Sequence, residues 1–188
     1  MIGVVILAAG AGTRLGGVAK ALLPARDGAT FLSSILETAR TIGLGEAIVV
    51  VGPPFGDAVR AAAEALGARV VVNEHPERGM ASSVAIGFGA LTCDAAWLWP
   101  VDHPHVDAST LRSLLAAIDG HDAARPVFEG RGGHPPLVAR SLFAALAACT
   151  DAPGGARSVL ARHDVIDVAV TDPGVVRDID TPSDLEAR

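Results

Sequence analysis

The sequence contains one lysine, no tyrosine and two cysteines among its 188 residues. Cys93 and Cys149 are too few and too far apart for a disulfide framework or a zinc knuckle, so we interpret both as small core residues. No apolar run approaches the roughly 20 residues of a membrane span, and Met1–Gly10 lacks the basic segment and cleavage site of a signal peptide. We therefore expect a cytoplasmic protein without a membrane partner.

Basic residues are also in the minority. The 15 Lys and Arg residues are outnumbered by 21 Asp and Glu residues, which gives a net charge of −6. Since no basic block is present either, the composition argues against a nucleic-acid partner. Half of the residues are apolar and 19% are charged, so the chain is not disordered. Its length predicts a single domain over residues 1–188.

The single lysine, Lys20, is informative because the other fourteen basic residues are all arginine. A chain that uses arginine everywhere else retains a lysine where the compact ammonium group is needed, since the planar guanidinium does not replace it at many sites. The alternative is that Lys20 is a solvated surface residue that survives by chance.

Strand-like and helix-like segments alternate along the chain. The predicted strands are Gly3–Ala9, Ala47–Val51, Arg69–Asn73, Ala95–Val101, Ala123–Phe128, His134–Val138 and Val165–Val170. The predicted helices are Phe31–Ile42, Asp57–Leu66, Met80–Leu91, Ala108–Ile118, Ser141–Ala148, Ala156–Arg162 and a last one from Pro182. This order predicts a three-layer α/β fold with a mostly parallel, mixed central sheet. Ligands bind at the carboxyl ends of strands in such sheets, so functional residues are expected after the first, third and fourth strands.

A glycine-rich loop follows the first strand and runs from Gly10 to Lys20. Its glycines allow backbone N–H groups to turn inward around phosphate oxygens, and Arg14 and Lys20 add two cations. The P-loop pattern fails because Val18 follows Gly17 where lysine is required, and the dinucleotide pattern fails because its third glycine comes one place late. The loop predicts a phosphate site, and the alternative is an ordinary glycine-rich turn.

Five ordered motifs resemble those of MobA-like NTP transferases, most of all the CTP:molybdopterin cytidylyltransferase type. The first is Leu7-Ala-Ala-Gly-x-Gly-x-Arg14-x-Gly16 followed by Lys20. The others are Asn73-(x)5-Gly79-Met80-Ala-Ser82-Ser83, Asp102-His103-Pro104, Arg131-Gly-Gly-His134-Pro135 and Asp178-Ile-Asp180-Thr-Pro-Ser-Asp184-Leu. Together they span nearly the whole chain.

The resemblance implies a Rossmann-like nucleotidyltransferase fold and transfer of a nucleotidyl group from an NTP to a phosphorylated acceptor, with release of pyrophosphate. It assigns catalytic roles to Lys20, near the α-phosphate, and to Arg14, on the β- and γ-phosphates together with the loop amides of Ala11 to Leu15. The implied nucleotide-binding residues are Leu7, Ala8, Ala9, Gly10, Ala11, Gly12, Thr13, Arg14, Lys20, Asn73, Gly79, Ser82, Ser83 and His134. For Ser82 and Ser83 the alternative is a simple helix cap, and His134 also suits a contact to the second substrate.

The resemblance further implies a Mg²⁺ site, with Mn²⁺ as a substitute, at Asp102 and Asp180. A carboxylate at the end of a strand suits a hard cation. Asp180 also suits a helix N-terminus before Pro182, which leaves a structural role open. His103 and His105 flank Asp102, but a catalytic zinc site needs a third protein ligand and none is evident.

The acceptor half of the sequence departs from the family pattern, for example at His103 and Pro136. By resemblance, molybdopterin is the favoured acceptor, and a molybdoenzyme or its chaperone is a possible partner. Ala9 favours CTP, because guanylyl-transferring relatives carry a glycine there. The alternatives are transfer to a sugar or polyol phosphate, an NAD(P)-dependent oxidoreductase with Glu37 as the ribose-binding acid, and a nucleotide-sensing module without turnover.

Overall fold

The structure is a computed structural model that describes residues 1–25 and 28–186, and its central feature is one eight-stranded sheet. The strands are β1 (Ile2–Leu7), β2 (Glu46–Val51), β3 (Arg69–Val72), β4 (Ala95–Pro100), β5 (Ala123–Phe128), β6 (Arg131–Gly132), β7 (Leu137–Ala139) and β8 (Val165–Ala169). The helices are α1 (Phe31–Arg40), α2 (Gly56–Ala65), α3 (Met80–Gly89), α4 (Ala108–Ala117), α5 (Phe143–Ala147), α6 (Gly155–Leu160) and α7 (Pro182–Glu186).

The sheet is mixed. Strands β3, β2, β1 and β4 lie side by side and parallel, as the βαβ spacing predicts. Beyond β4, the short strand β7 runs antiparallel to both β4 and β5, so that β5 points in the same direction as β1. Strand β6 pairs with the far end of β5, and β8 pairs in parallel with the other edge of β5. The predicted α/β fold with a mostly parallel, mixed sheet is confirmed.

Helices cover both faces of the sheet because the buried strands present apolar side chains on both sides. In β1, Val4 and Ile6 join the core beneath α1, α2 and α4, whereas Val5 and Leu7 join the core beneath α3, α5 and α6. Cys93 and Cys149 are free and buried in the second core. Burial raises the pKa of the Cys93 thiol to about 11, so it stays protonated at neutral pH.

One predicted strand is displaced. The strand expected at His134–Val138 begins only at Leu137, since Pro135 and Pro136 have no N–H group to donate to a ladder. The His134 amide instead donates to the Val175 carbonyl, 2.7 Å away. His134 therefore leaves the sheet between β6 and β7, and the chain returns to it at Pro136, whose carbonyl accepts from the Leu98 amide of β4 at 3.0 Å.

No helix in residues 1–25 and 28–186 is long and apolar enough to cross a membrane.

Gly87 sets how closely α3 approaches the sheet. A Cβ atom at this position would overlap Val5 Cγ1 and lie 3.0 Å from Val50 Cγ2. Glycine costs a helix about 0.5–1 kcal/mol relative to alanine, so its presence here reflects packing rather than helix propensity. Gly89, two residues later on the exposed side of α3, would place a Cβ at an ordinary 3.8 Å from Ala147 Cβ.

We expect Gly87→Ala to lower the free energy of unfolding by about 1–3 kcal/mol, because overpacking outweighs the gain in helix propensity. Gly89→Ala is the matched control, and it should leave stability unchanged or raise it by up to about 1 kcal/mol. Urea denaturation of both variants measures the difference. Equal stability of the two would contradict the close approach of α3 to β1.

Candidate active site

A cleft of about 380 Å³ opens at the carboxyl ends of β1 and β4. The strand ends bring the glycine-rich loop against the loop that follows β4, which is the edge where ligands bind in such sheets. The lining residues are Leu7, Ala8, Ala9, Gly10, Gly12, Thr13, Arg14, Lys20, Pro76, Gly79, Met80, Ser83, Pro100, Val101, Asp102 and Asp180. Most of the residues predicted to bind nucleotide are therefore brought together here.

The glycine-rich loop folds back on itself. Gly12 adopts φ +56°, and a Cβ there would collide with the Val18 carbonyl, so the loop can close only around a glycine. The amides of Leu15 and Gly17 both donate to the Gly12 carbonyl at 3.0 Å. Leu15 N–H is consequently not free for a phosphate, which corrects the range predicted from the sequence. Within the described residues, the amides of Gly10 to Arg14 have no carbonyl acceptor.

Lys20 lies between two carboxylates that are distant in the sequence. A short 3₁₀ turn over Lys20–Leu22, anchored by the buried Ala21, directs the lysine into the cleft, where its side chain is 14% exposed. Its Nζ donates to Asp102 Oδ2 at 3.3 Å and forms a short hydrogen bond with Asp180 Oδ1. The lysine singled out by composition is thus the central cation of the cleft.

The Asp180 segment is fixed from two directions. The Ile179 amide donates to the Asp102 carbonyl at 2.9 Å, which ties the segment to the end of β4. Asp184 Oδ2 accepts hydrogen bonds from the amides of Asp180 at 3.1 Å and Thr181 at 2.7 Å. Asp184 therefore holds the turn before α7, and the Asp180 carboxylate is free to face Lys20.

Charges in the cleft are closely matched. Arg14 forms a second short ion pair with Asp180, on the side away from Lys20. The hydrogen bond from Lys20 holds the pKa of Asp180 below its ordinary value against the opposing effect of partial burial, and the charge of Arg14 assists. Asp180 is thus ionised well below neutral pH.

The two oxygens of Asp102 have different surroundings. Oδ2 accepts from Lys20, whereas Oδ1 is buried with no hydrogen-bond partner among the described residues and lies 4.0 Å from His103 Nε2. A buried oxygen of this kind normally has a ligand or a water molecule beside it. Asp102 and Asp180 are the two carboxylates that could hold a hard divalent cation in this cleft. No cluster of three or more His, Cys, Asp or Glu side chains suited to a metal occurs among residues 1–25 and 28–186.

Asn73, Ser82 and Ser83 form a buried polar cluster behind the cleft. Asn73 Nδ2 donates to Ser82 Oγ at 2.8 Å and to Ser83 Oγ at 2.9 Å, and Ser82 Oγ donates to the Gly79 carbonyl at 2.7 Å. Of the three residues, only Ser83 lines the cleft. Asn73 and Ser82 therefore position the loop that ends at Gly79. Ala11 is likewise outside the cleft lining.

His134 lies on a second cavity, of about 950 Å³, and not on the nucleotide cleft. Its Nδ1 is buried without a partner, and its ring centre is 5.0 Å from that of His103. Burial lowers the pKa of His134 to about 4, and neighbouring His103 adds to the effect. His134 is therefore a neutral imidazole at neutral pH.

Sequence reasoning missed Met80 as a wall residue. Met80 and Gly79 line both cavities, and Met80 is 60% exposed although it is a large apolar residue. Its place directly after Gly79 in the second motif was the signal that the sequence offered. The cleft and the second cavity therefore meet at Gly79 and Met80.

The geometry does not support the dinucleotide-binding alternative. The glycine-rich loop leads into short turns and not into a helix, and α1 begins only at Phe31. A dinucleotide fingerprint requires a helix N-terminus directly after the loop. Glu37, the acid expected to bind the ribose, is exposed in the middle of α1 and lines neither cavity.

The chain is similar over nearly its whole length to an enzyme named nicotine blue oxidoreductase from Paenarthrobacter nicotinovorans. The two are 35% identical, over 94% of this chain and 91% of the relative. Among solved structures, Rv0371c from Mycobacterium tuberculosis H37Rv is 32% identical with a TM-score of 0.84, covering 99% of this chain and 96% of that chain. A complex of Rv0371c with manganese gives 29% identity and a TM-score of 0.76 over the same shares of both chains.

The family model described as the MobA-like NTP transferase domain matches residues 4–167. This range includes the glycine-rich loop, Lys20, Asp102 and His134. It contains every lining residue of the second cavity and every lining residue of the cleft except Asp180. Members of the family bind an NTP together with a phosphorylated acceptor. The chain belongs to the MobA-like NTP transferase family and is a nucleotidyltransferase.

Proposed function

We propose that this protein transfers CMP from CTP to the phosphate of a small molecule and releases pyrophosphate. The observation that carries the proposal is the position of Lys20 between Asp102 and Asp180, facing the glycine-rich loop at the carboxyl ends of β1 and β4. Phosphoryl-type transfer depends mainly on alignment and charge neutralisation, and this cleft offers both.

The nucleotide phosphates would bind along the glycine-rich loop. The amides from Gly10 to Arg14 have no carbonyl partner within the described residues and can donate to phosphate oxygens. The Arg14 guanidinium, 73% exposed, is free to exchange Asp180 for the β- and γ-phosphates. Lys20 is the more buried of the two cations, which supports a role at the α-phosphate, where charge develops.

Asp102 and Asp180 would hold a divalent metal ion, Mg²⁺ by our proposal and Mn²⁺ as a substitute. The unpartnered, buried Oδ1 of Asp102 fits such an ion, and the manganese complex of Rv0371c supports the choice of metal class. When bound, the ion supplies positive charge that offsets the charge of the triphosphate.

The reaction itself needs no general base, because the attacking phosphate oxygen of the acceptor is already anionic. That oxygen would form a bond to the α-phosphorus, and the bond from the α-phosphorus to the bridging oxygen of pyrophosphate would break. Lys20 would neutralise charge on the α-phosphate oxygens as the bonds change, while Arg14 would hold the departing pyrophosphate.

We expect the cleft to favour a pyrimidine base. Ala9 is 4% exposed and packs against Gly52, where an added Cβ would lie 3.1 Å from the Ala9 Cβ. Ser83 presents a hydroxyl at the same end of the cleft, and its Oγ already accepts from Asn73, so it remains able to donate. These two residues would form the contact surface for cytosine.

The second cavity would take the acceptor. Its lining combines apolar groups with Arg78, Arg125, Arg157 and the neutral His134, which suits an anionic molecule with an extended body. Molybdopterin is the acceptor we favour, with a sugar or polyol phosphate as the alternative. On this proposal the protein works in the cytoplasm as a single domain, and its product passes to a molybdoenzyme or its chaperone.

A second candidate activity is oxidoreduction, favoured by the 35% identity to the enzyme named nicotine blue oxidoreductase. The absence of a helix after the glycine-rich loop within the described residues counts against nicotinamide dinucleotide binding. Pyrophosphate release with each of the four NTPs and a panel of phosphorylated acceptors, run beside an assay of NAD(P)H oxidation, separates the two. Release of pyrophosphate without oxidation supports our proposal, and the reverse result would overturn it.

Asp102→Asn should reduce turnover by about 10²–10³-fold, the loss that follows removal of one preorganised electrostatic group. The melting temperature should change little, because the amide keeps the size of the side chain. Mn²⁺ affinity, followed by electron paramagnetic resonance, should fall as well. Normal metal-dependent activity of the Asp102→Asn variant would contradict a role for Asp102 in the site.

CTP should be preferred to GTP in kcat/KM. A purine in a pyrimidine-sized pocket leaves buried polar groups unpaired, and discrimination of that kind can be large. Steady-state kinetics with both nucleotides and one acceptor measure the preference. Equal use of the two would contradict the cytidylyl assignment and leave the reaction class intact.

Lys20→Arg should fold normally and bind CTP with a modest loss, but lower kcat by about 10²-fold. Arginine keeps the charge yet spreads it over a plane on a longer side chain, and it cannot occupy the same point between Asp102 and Asp180. The control is Arg112→Lys, an equally conservative exchange on the exposed face of α4, which should be silent. An unchanged kcat for Lys20→Arg would contradict a catalytic role for Lys20.

A further inference from the structure

An exposed ion pair joins the two sides of the second cavity. Arg78 Nη2 lies 2.7 Å from Asp151 Oδ1, with side chains 49% and 86% exposed. Arg78 lines the cavity and directly precedes Gly79 and Met80, the residues shared with the nucleotide cleft. Asp151 belongs to the connection between α5 and α6, and its neighbour Thr150 lines the same cavity. The pair therefore spans the rim where the two cavities meet.

The floor beneath this pair is packed, whereas the pair itself is a contact between two exposed side chains. Cys149 Sγ lies 3.6 Å from the Ala81 carbonyl, and a Cβ on Gly155 would come within 2.9 Å of the Ala81 Cβ. The start of α3 and the connection before α6 thus touch closely below the rim. These contacts below the rim do not involve the side chain of Arg78 or of Asp151.

A second arginine of the cavity is paired in a different way. Arg125 Nε and Nη2 donate to Asp167 at 2.8 and 2.9 Å, and the two residues are directly opposite in the register of β5 and β8. This pair lies within one sheet and does not cross the rim of the cavity. The cavity therefore contains one arginine–aspartate pair across its rim and one along its wall.

We propose that the Arg78–Asp151 pair is a latch, and that the acceptor's phosphate opens it by displacing Asp151 and binding Arg78. The inference rests on the proposed transfer reaction, because in that reaction the acceptor phosphate must occupy the place where the two cavities meet. Arginine binds phosphate with two parallel hydrogen bonds, so Arg78 gains a geometrically better partner when it leaves Asp151.

Magnitudes favour this exchange. An exposed ion pair contributes at most about a fivefold factor to an equilibrium, so the latch opens at little cost. Hydrogen bonds to a charged group are worth about tenfold or more when they are lost on binding. The hydrogen bonds from Arg78 thus raise the affinity for phosphate by a larger factor than competition from Asp151 lowers it.

The two halves of the pair should therefore respond in opposite directions. Asp151→Asn removes the competitor and should strengthen phosphate binding by up to about fivefold. Arg78→Gln removes the ligand and should weaken it by about tenfold or more. Asp167→Asn is the matched control, since it removes one negative charge beside a cavity arginine without opening the rim, and it should have no comparable effect.

The probe is inorganic phosphate, titrated into each full-length variant and followed by ¹H–¹⁵N NMR. Amides of Gly154 and Gly155 report the second cavity, and those of Gly10 and Gly12 report the nucleotide cleft, so the two binding events are separated. Opposite shifts of the cavity affinity for Asp151→Asn and Arg78→Gln support the latch. Shifts in the same direction, no phosphate response at Gly154 and Gly155, or an equal effect of Asp167→Asn would overturn it.

Turnover kinetics separate this inference from the proposed function. With the acceptor that gives pyrophosphate release, the acceptor KM should fall for Asp151→Asn and rise for Arg78→Gln, while the KM for CTP stays within about twofold. If transfer proceeds and neither variant alters the acceptor KM, the latch is wrong and the function stands. If no NTP supports transfer and the opposite phosphate shifts persist, the function is wrong and the anion-binding role of Arg78 stands.

Discussion

The cleft depends on one ammonium group held between two carboxylates. Lys20, Asp102 and Asp180 come from three distant parts of the chain, and the hydrogen bonds of Lys20 join them at one point. The backbone bond from Ile179 to the Asp102 carbonyl fixes the same two segments independently of charge. Because β1 and β4 are neighbours in the sheet, the loops that follow them reach this point together. The site is thus a consequence of strand order as well as of residue type.

Charge balance explains why the cleft suits a nucleotide and a cation together. Lys20 and Arg14 face Asp102 and Asp180, so two positive groups offset two negative ones. A triphosphate adds several negative charges to this near-neutral cleft, and it would also compete with Asp180 for Arg14. On our proposal, a divalent cation held by Asp102 and Asp180 would restore the balance. The hydrogen bond from Lys20 holds the pKa of Asp180 below its ordinary value, so its carboxylate is ionised at neutral pH.

The second cavity is organised differently from the first. Its histidine is neutral because it is buried, and two of its arginines already have carboxylate partners. These carboxylates offset the charge of Arg78 and Arg125, and Arg157 adds a third guanidinium to the cavity lining. Among the described residues, Gly79 and Met80 are the two that line both cavities, so the two cavities are adjacent at this point.

Most of the fold and the central residues of the cleft were predictable from the sequence. Apolar periodicity predicted the strands and helices, since burial on two faces leaves a regular pattern, and Lys20, Arg14, Asp102 and Asp180 followed from composition and motifs. The features that depend on contacts between distant segments were not predictable in this way. Pro135 and Pro136 delay β7, and Asn73 and Ser82 bond to each other and not to the cleft. His134 faces the second cavity, and Asp151 meets Arg78. No local pattern encodes these pairings, because each one is set by which segments the sheet order brings together.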